Sequence, residues 1–133
     1  MKNEYPFADD KLVWFYDQTG EALFYLYDEE YLYHVDGTPV GYLYNNEYVV
    51  GYNGEYLGWI YNGWIVDYAD GSYAFFSEFA SGGPVRPVRS VKPVKSVRCV
   101  RPVRCVRSVR PVRPVRSLAW TEKDFSSFFP DYS

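Results

Sequence analysis

The sequence predicts an all-β protein: four 17-residue β-hairpin repeats in a pseudo-fourfold arrangement, wrapped by a polyproline-II-like triplet segment, with a short C-terminal helix. Three observations predict it. Gly20, Gly37, Gly54 and Gly71 recur at intervals of seventeen. A triplet of Pro, Ser or Cys, then Val, then Arg or Lys runs unbroken eleven times from Pro84 to Arg116. Charge is divided between the two: residues 1–83 hold fourteen acids against Lys2 and Lys11, while residues 84–117 hold eleven basic residues and no acid. Opposite blocks of similar size in one short chain are expected to face each other, or to face copies of each other.

In chain order, residues 1–11 are a polar lead-in with Pro6 beside Tyr5 and Phe7. Residues 12–79 are the hairpin domain. Asp36, Asn53 and Asp70 precede their glycines, and Asp-Gly and Asn-Gly pairs are the strongest short hairpin signal, pointing to type I′ turns. Five residues after each glycine come Tyr25, Tyr42, Trp59 and Phe76. A second turn joins the units at Asp28-Glu29, Asn45-Asn46 and Asn62-Gly63. The strands between are rich in Tyr, Trp, Val and Ile, as β propensity prefers. Four such units make either an eight-stranded meander or a ring of four hairpins, which must pack on neighbours to bury anything.

Residues 80–83 form a hinge, and the triplet segment of residues 84–117 is integral to the same domain. A period of three matches polyproline II, with three residues per turn, and neither an α-helix nor a pleated strand. Proline in six of the eleven lead positions excludes a central strand. Pro84, Pro93, Pro102 and Pro111 recur every nine residues, as do Ser90, Cys99, Ser108 and Ser117, so the segment reads as four nonapeptides. Fixing its 33 residues costs roughly 1–2 kcal/mol each in backbone entropy, against at most about 1.5–3 kcal/mol per buried valine. The ribbon therefore needs a docking surface. Thirteen of the fifteen tyrosines lie in the hairpins, and aromatic-lined grooves commonly grip polyproline II. The expected arrangement lays one nonapeptide along each hairpin, valines inward and basic side chains near acidic ones. Gly41 and Gly58 stand where another backbone could approach closely. Four nonapeptides span about 110 Å in polyproline II, enough to encircle a body roughly 35 Å across.

Residues 118–133 are a C-terminal latch. Thr121 is the expected N-cap, with Asp124 three residues on and Trp120 and Phe125 placed as a hydrophobic staple. Phe125, Phe128 and Phe129 would share one helix face, and Pro130 would end it.

With the hairpin glycines, the Ser-Gly-Gly-Pro junction at 81–84, the valine-centred triplets and the Ser117-Leu118-Ala119-Trp120 exit in place, the chain resembles a bacterial family of small proteins named for a 4-fold β-flower. The resemblance covers nearly the whole chain. It implies fourfold geometry, from one chain or from four, and it implies no activity, so no functional residue is carried over.

No catalytic, metal or cofactor constellation is present in the sequence. His34 is the single histidine, and its repeat column holds Asp17, Gly51 and Tyr68. Phosphate-binding glycine loops and nucleophile motifs are absent. Cys99 and Cys105 lie about 19 Å apart in polyproline II, too far for a disulfide, and read as small neutral residues in slots that Ser fills elsewhere. No apolar run is long enough to cross a bilayer, and residues 1–10 lack the pattern of a signal peptide, so a cytoplasmic location is expected. The expected function is that of a non-enzymatic structural or interaction module, self-assembling into a ring or fibre. Its candidate contact residues are Tyr25, Tyr42, Trp59 and Phe76 on the hairpins, with Val94, Val103, Arg98 and Arg104 on the ribbon. The alternative is nucleic-acid binding by the basic ribbon and the aromatics, against which the −12 charge of the first 83 residues weighs.

Overall fold

The computed structural model describes residues 12–132; the polar lead-in expected for residues 1–11 lies outside them. Eight short strands follow in order: β1 (Val13–Tyr16), β2 (Ala22–Tyr27), β3 (Tyr31–His34), β4 (Pro39–Tyr44), β5 (Tyr48–Val50), β6 (Tyr56–Tyr61), β7 (Trp64–Asp67) and β8 (Tyr73–Ser77). Each pairs antiparallel with the next, and β1 pairs with β8 through Phe15–Ser77 and Tyr16–Phe76, so the sheet closes into a barrel. One chain supplies all four hairpins. Closure leaves no exposed strand edge, which in a short, tyrosine-rich sheet would be a site for unwanted pairing.

The type I′ geometry expected at the seventeen-residue glycines is found at the second turns instead. Positive φ at both central residues, the signature of type I′, occurs at Asp28-Glu29, Asn45-Asn46 and Asn62-Gly63. At the seventeen-residue glycines only the glycine itself has positive φ. There the Gly20 N–H donates to the Asp17 carbonyl at 2.9 Å, closing a chain reversal that ends on the glycine, and the strand register slips beside each such turn, after Phe15, Leu32, Val49 and Ile65. A tight turn followed by a glycine bulge explains why the residue before each glycine accepts Asp, Asn or Thr without needing φ > 0.

Strand alternation builds two separate cores. Phe15, Phe24, Leu32, Val49, Ile65 and Phe75 point into the barrel, where an eight-stranded barrel has room for side chains and little more. The helix α1 (Phe125–Phe128) completes this inner core with Phe128 and the following Phe129, both buried. Their rings meet Phe24 and Phe75 at centroid distances of 5.1–5.9 Å. Gly41 and Gly58 make this plug fit: a Cβ on Gly58 would lie 3.1 Å from the Phe128 ring, and one on Gly41 would lie 3.7 Å from Phe129. The close approach expected at these glycines therefore comes from the plug and the adjacent strands, not from the ribbon. The helix cap also differs from expectation. Asp124 caps it by accepting from Ser127 N–H at 2.9 Å, and Thr121 Oγ1 accepts from Lys123 N–H at 3.1 Å, one turn too early to cap α1.

The second core lies on the outer face of the barrel. Trp14, Tyr16, Tyr25, Tyr33, Tyr42, Tyr48, Trp59, Trp64 and Phe76 are all buried there, on the face that would otherwise meet water. The triplet ribbon is what covers them.

Candidate interaction surface

Residues 84–117 form no helix or strand. Their period of three sends side chains in three directions, and each direction meets different surroundings. The lead positions face the rim made by the glycine turns. Ser90, Cys99, Ser108 and Ser117 donate their N–H groups to the carbonyls of Gly20, Gly37, Gly54 and Gly71, at 2.8–2.9 Å. Donors nine residues apart thus meet acceptors seventeen apart, four times over. Ser96 and Cys105 donate in the same way to Val35 and Tyr52, again seventeen apart, both at 2.9 Å. Every lead that is not proline supplies a backbone donor, and the proline leads occupy slots where none is used. This accounts for both cysteines through their N–H groups; their thiols are free and exposed.

The turn glycines are needed at this contact for a second reason besides positive φ. A Cβ at Gly20, Gly37, Gly54 or Gly71 would lie 2.1–2.3 Å from the carbonyl oxygens of Val88, Val97, Val106 and Val115, once more nine apart.

The basic positions lie over the outer aromatics, column by column. Arg98, Arg107 and Arg116 stand 3.8, 3.6 and 3.7 Å from the ring centroids of Tyr27, Tyr44 and Tyr61. Arg101 and Arg110 cover Tyr31 and Tyr48 at 3.8 and 4.8 Å. Lys95, Arg104 and Arg113 cover Tyr25, Tyr42 and Trp59 at 5.9, 3.7 and 5.0 Å. Each such contact at an exposed site contributes about 0.5–1 kcal/mol, so the ribbon is held by the series and by no single member. Glutamates reinforce it: Arg104 pairs with Glu30 at 2.5 Å and Arg113 with Glu47, nine against seventeen once more, and Lys92 pairs with Glu78 at 3.6 Å outside that spacing. The Tyr33 hydroxyl, accepting from Arg101 at 3.0 Å, raises that guanidinium's pKa, and a hydrogen bond to Tyr42 does the same for Arg107. Burial pushes the Tyr52 phenol well above the usual tyrosine range.

The third direction points to solvent, and this overturns the expected orientation of the valines. All eleven are 89–96% exposed, Val94 and Val103 included. The reason is a competition between stripes. The N–H donors must face the turn carbonyls, and a long basic side chain can lay its methylene stem and cationic head along an aromatic wall, which a valine is too short to do. With two of the three stripes docked, the third is left outside.

The ribbon closes on itself. At its start Trp64 Nε1 donates to the Gly82 carbonyl at 3.1 Å. At its end Trp120 packs on the same Trp64 with ring centroids 5.2 Å apart, and Ala119 and Thr121 bond to Tyr73. The chain has passed all four hairpins in between and forms a collar.

Of the residues expected to carry contacts, Tyr25, Tyr42, Trp59 and Phe76 are buried beneath this collar, Arg98 and Arg104 lie in it, and Val94 and Val103 form part of its outer surface. What sequence reasoning missed is Ser90, Ser96 and Ser108 as backbone donors and Glu30 and Glu47 as arginine partners; the matching spacings of nine and seventeen were the available signal. His34 stacks on Tyr132 at 4.4 Å and accepts at Nδ1 from Asp36 N–H at 3.1 Å. Among the described residues no group of His, Cys, Asp and Glu could hold a metal ion, and no helix is long and apolar enough to cross a membrane.

No curated protein and no solved structure matches the chain. The model of the 4-fold beta flower protein family matches residues 13–129, nearly the whole of what has just been described. With four hairpins in one closed barrel and four nonapeptides around it, the chain belongs to the 4-fold beta flower protein family.

Proposed function

We propose that the protein is a non-enzymatic interaction module that associates with copies of itself through its valine collar. The observation that carries this reading is the outward stripe of eleven valines, each at least 89% exposed, on a ribbon anchored by its other two stripes. Such a stripe is a liability in water unless something covers it. Because the collar passes all four hairpins, one copy can meet more than one neighbour, the condition under which heterologous contacts propagate into a ring or a fibre.

Sedimentation or light scattering over a range of concentrations tests the reading. The wild type is expected to grow in mass with concentration, and a Val94→Ser, Val103→Ser, Val112→Ser variant, altering only exposed methyl groups, to stay monomeric. A wild type that remains monomeric throughout, or a variant that assembles equally well, would overturn it.

Nucleic-acid binding is the second reading, favoured by eleven basic residues in one encircling ribbon. It is the weaker one, because the rings beneath the ribbon are already covered by guanidinium groups or buried.

A further inference from the structure

Six of the collar's arginines, Arg86, Arg89, Arg101, Arg107, Arg110 and Arg116, make no ion pair with any carboxylate among the described residues. Each lies over an aromatic ring, at centroid distances from 3.6 to 5.8 Å. Arg86 donates to the Gly82 carbonyl, and Arg101 and Arg107 to the Tyr33 and Tyr42 hydroxyls, but a guanidinium carries five N–H donors in a fixed fork, which leaves others that suit a carboxylate. The six N–H groups bonded to the barrel all belong to lead positions, so the valine positions between these arginines carry both an outward side chain and a backbone that makes no such bond among the described residues. The collar thus repeats, once in every triplet, a solvent-facing valine and a basic side chain that lies against the barrel's rings and, at these six arginines, is itself exposed.

We propose that this face of the collar is a docking surface for an extended acidic polypeptide, one carrying carboxylates at intervals with apolar side chains between them. The complementarity is of charge and of pitch: an extended peptide with an acid at every third residue has the same repeat as the collar and meets arginine and valine in turn. A nucleic acid fits less well. The aromatic rings beneath the collar are already covered by guanidinium groups or buried, which leaves its bases little to stack on there. This inference rests on the collar being a contact surface, as proposed above, but on its arginines and not on its valines, so the two fail separately.

The test is titration of the full chain with labelled poly-L-glutamate, followed by fluorescence anisotropy, beside an oligothymidylate of equal charge. Poly-L-glutamate is expected to bind at low ionic strength and to weaken steeply as salt screens the exposed charges. The oligothymidylate is expected to bind more weakly. An Arg101→Gln, Arg107→Gln, Arg110→Gln variant should lose affinity about tenfold or more, and the corresponding Lys variant, which keeps the charges, should retain most of it. Circular dichroism reports whether each variant is folded; if the Gln variant is not, the Lys variant and the comparison of the two polymers on the wild type decide. No binding of poly-L-glutamate at low salt, equal or tighter binding of the oligothymidylate, or a folded Gln variant of unchanged affinity would overturn the proposal.

Discussion

At the scale of single residues, the four turn glycines show how one position can satisfy two constraints. Gly54 has φ of +92°, and a Cβ there would sit 2.3 Å from the Val106 carbonyl oxygen. Gly82 also has positive φ, +69°, but nothing lies within 4 Å of where its Cβ would be. Gly82→Ala should therefore cost about 1–2 kcal/mol, the penalty of a left-handed backbone alone. Gly54→Ala should cost distinctly more, because the ribbon must lift away. Urea midpoints for the two variants measure the difference; equal losses would mean the ribbon does not press on the turn. The glycines were legible in the sequence as turns by their spacing. Their second role was not, since it depends on an oxygen more than forty residues away.

At the scale of elements, strands and turns were readable because each is fixed by neighbours in sequence: the aromatic and β-branched runs, and the Asn and Asp residues between them. The type expected at the glycine turns was wrong, because an Asp-Gly or Asn-Gly pair fits a glycine-bulge turn as readily as type I′, and loop length decides between them. The plug was readable as a row of phenylalanines. Its cap was not, because Thr121 and Asp124 are both good cap residues and only tertiary placement selects one. The ribbon's alternation of proline with serine and cysteine now has a physical meaning, and it can be tested directly. Ser108→Pro removes the donor to the Gly54 carbonyl and should cost about 1 kcal/mol or more. Pro102→Ser restores an N–H where no barrel bond is made and should cost only the small entropy that proline had removed from the unfolded chain. Thermal unfolding of the two variants should therefore separate them in that order; the reverse order would refute the assignment of donors.

At the scale of the whole molecule, the barrel and the collar form one construction in which each satisfies what the other lacks. The barrel leaves an aromatic wall that water would not tolerate, and the ribbon leaves cations and N–H groups that need partners. That they face each other was visible in the divided charge and in the shared count of four. The outward direction of the valines was not visible, because reading them as inward treated burial of apolar groups as the only force. Arginine on tyrosine, with its long apolar stem, competes for the same wall and wins. Closure of β8 onto β1 likewise lay beyond a sequence that allowed either a meander or a ring.

The central claim is that the ribbon is fastened to the barrel by its lead positions, nine residues against seventeen. Amide hydrogen exchange, resolved residue by residue by NMR, tests it most directly. The amides of Ser90, Ser96, Cys99, Cys105, Ser108 and Ser117 are expected to exchange slowly, while the valine amides beside them exchange quickly, in a pattern that follows the triplets. Fast exchange at all of these positions alike would show a ribbon free of the barrel and would contradict the account.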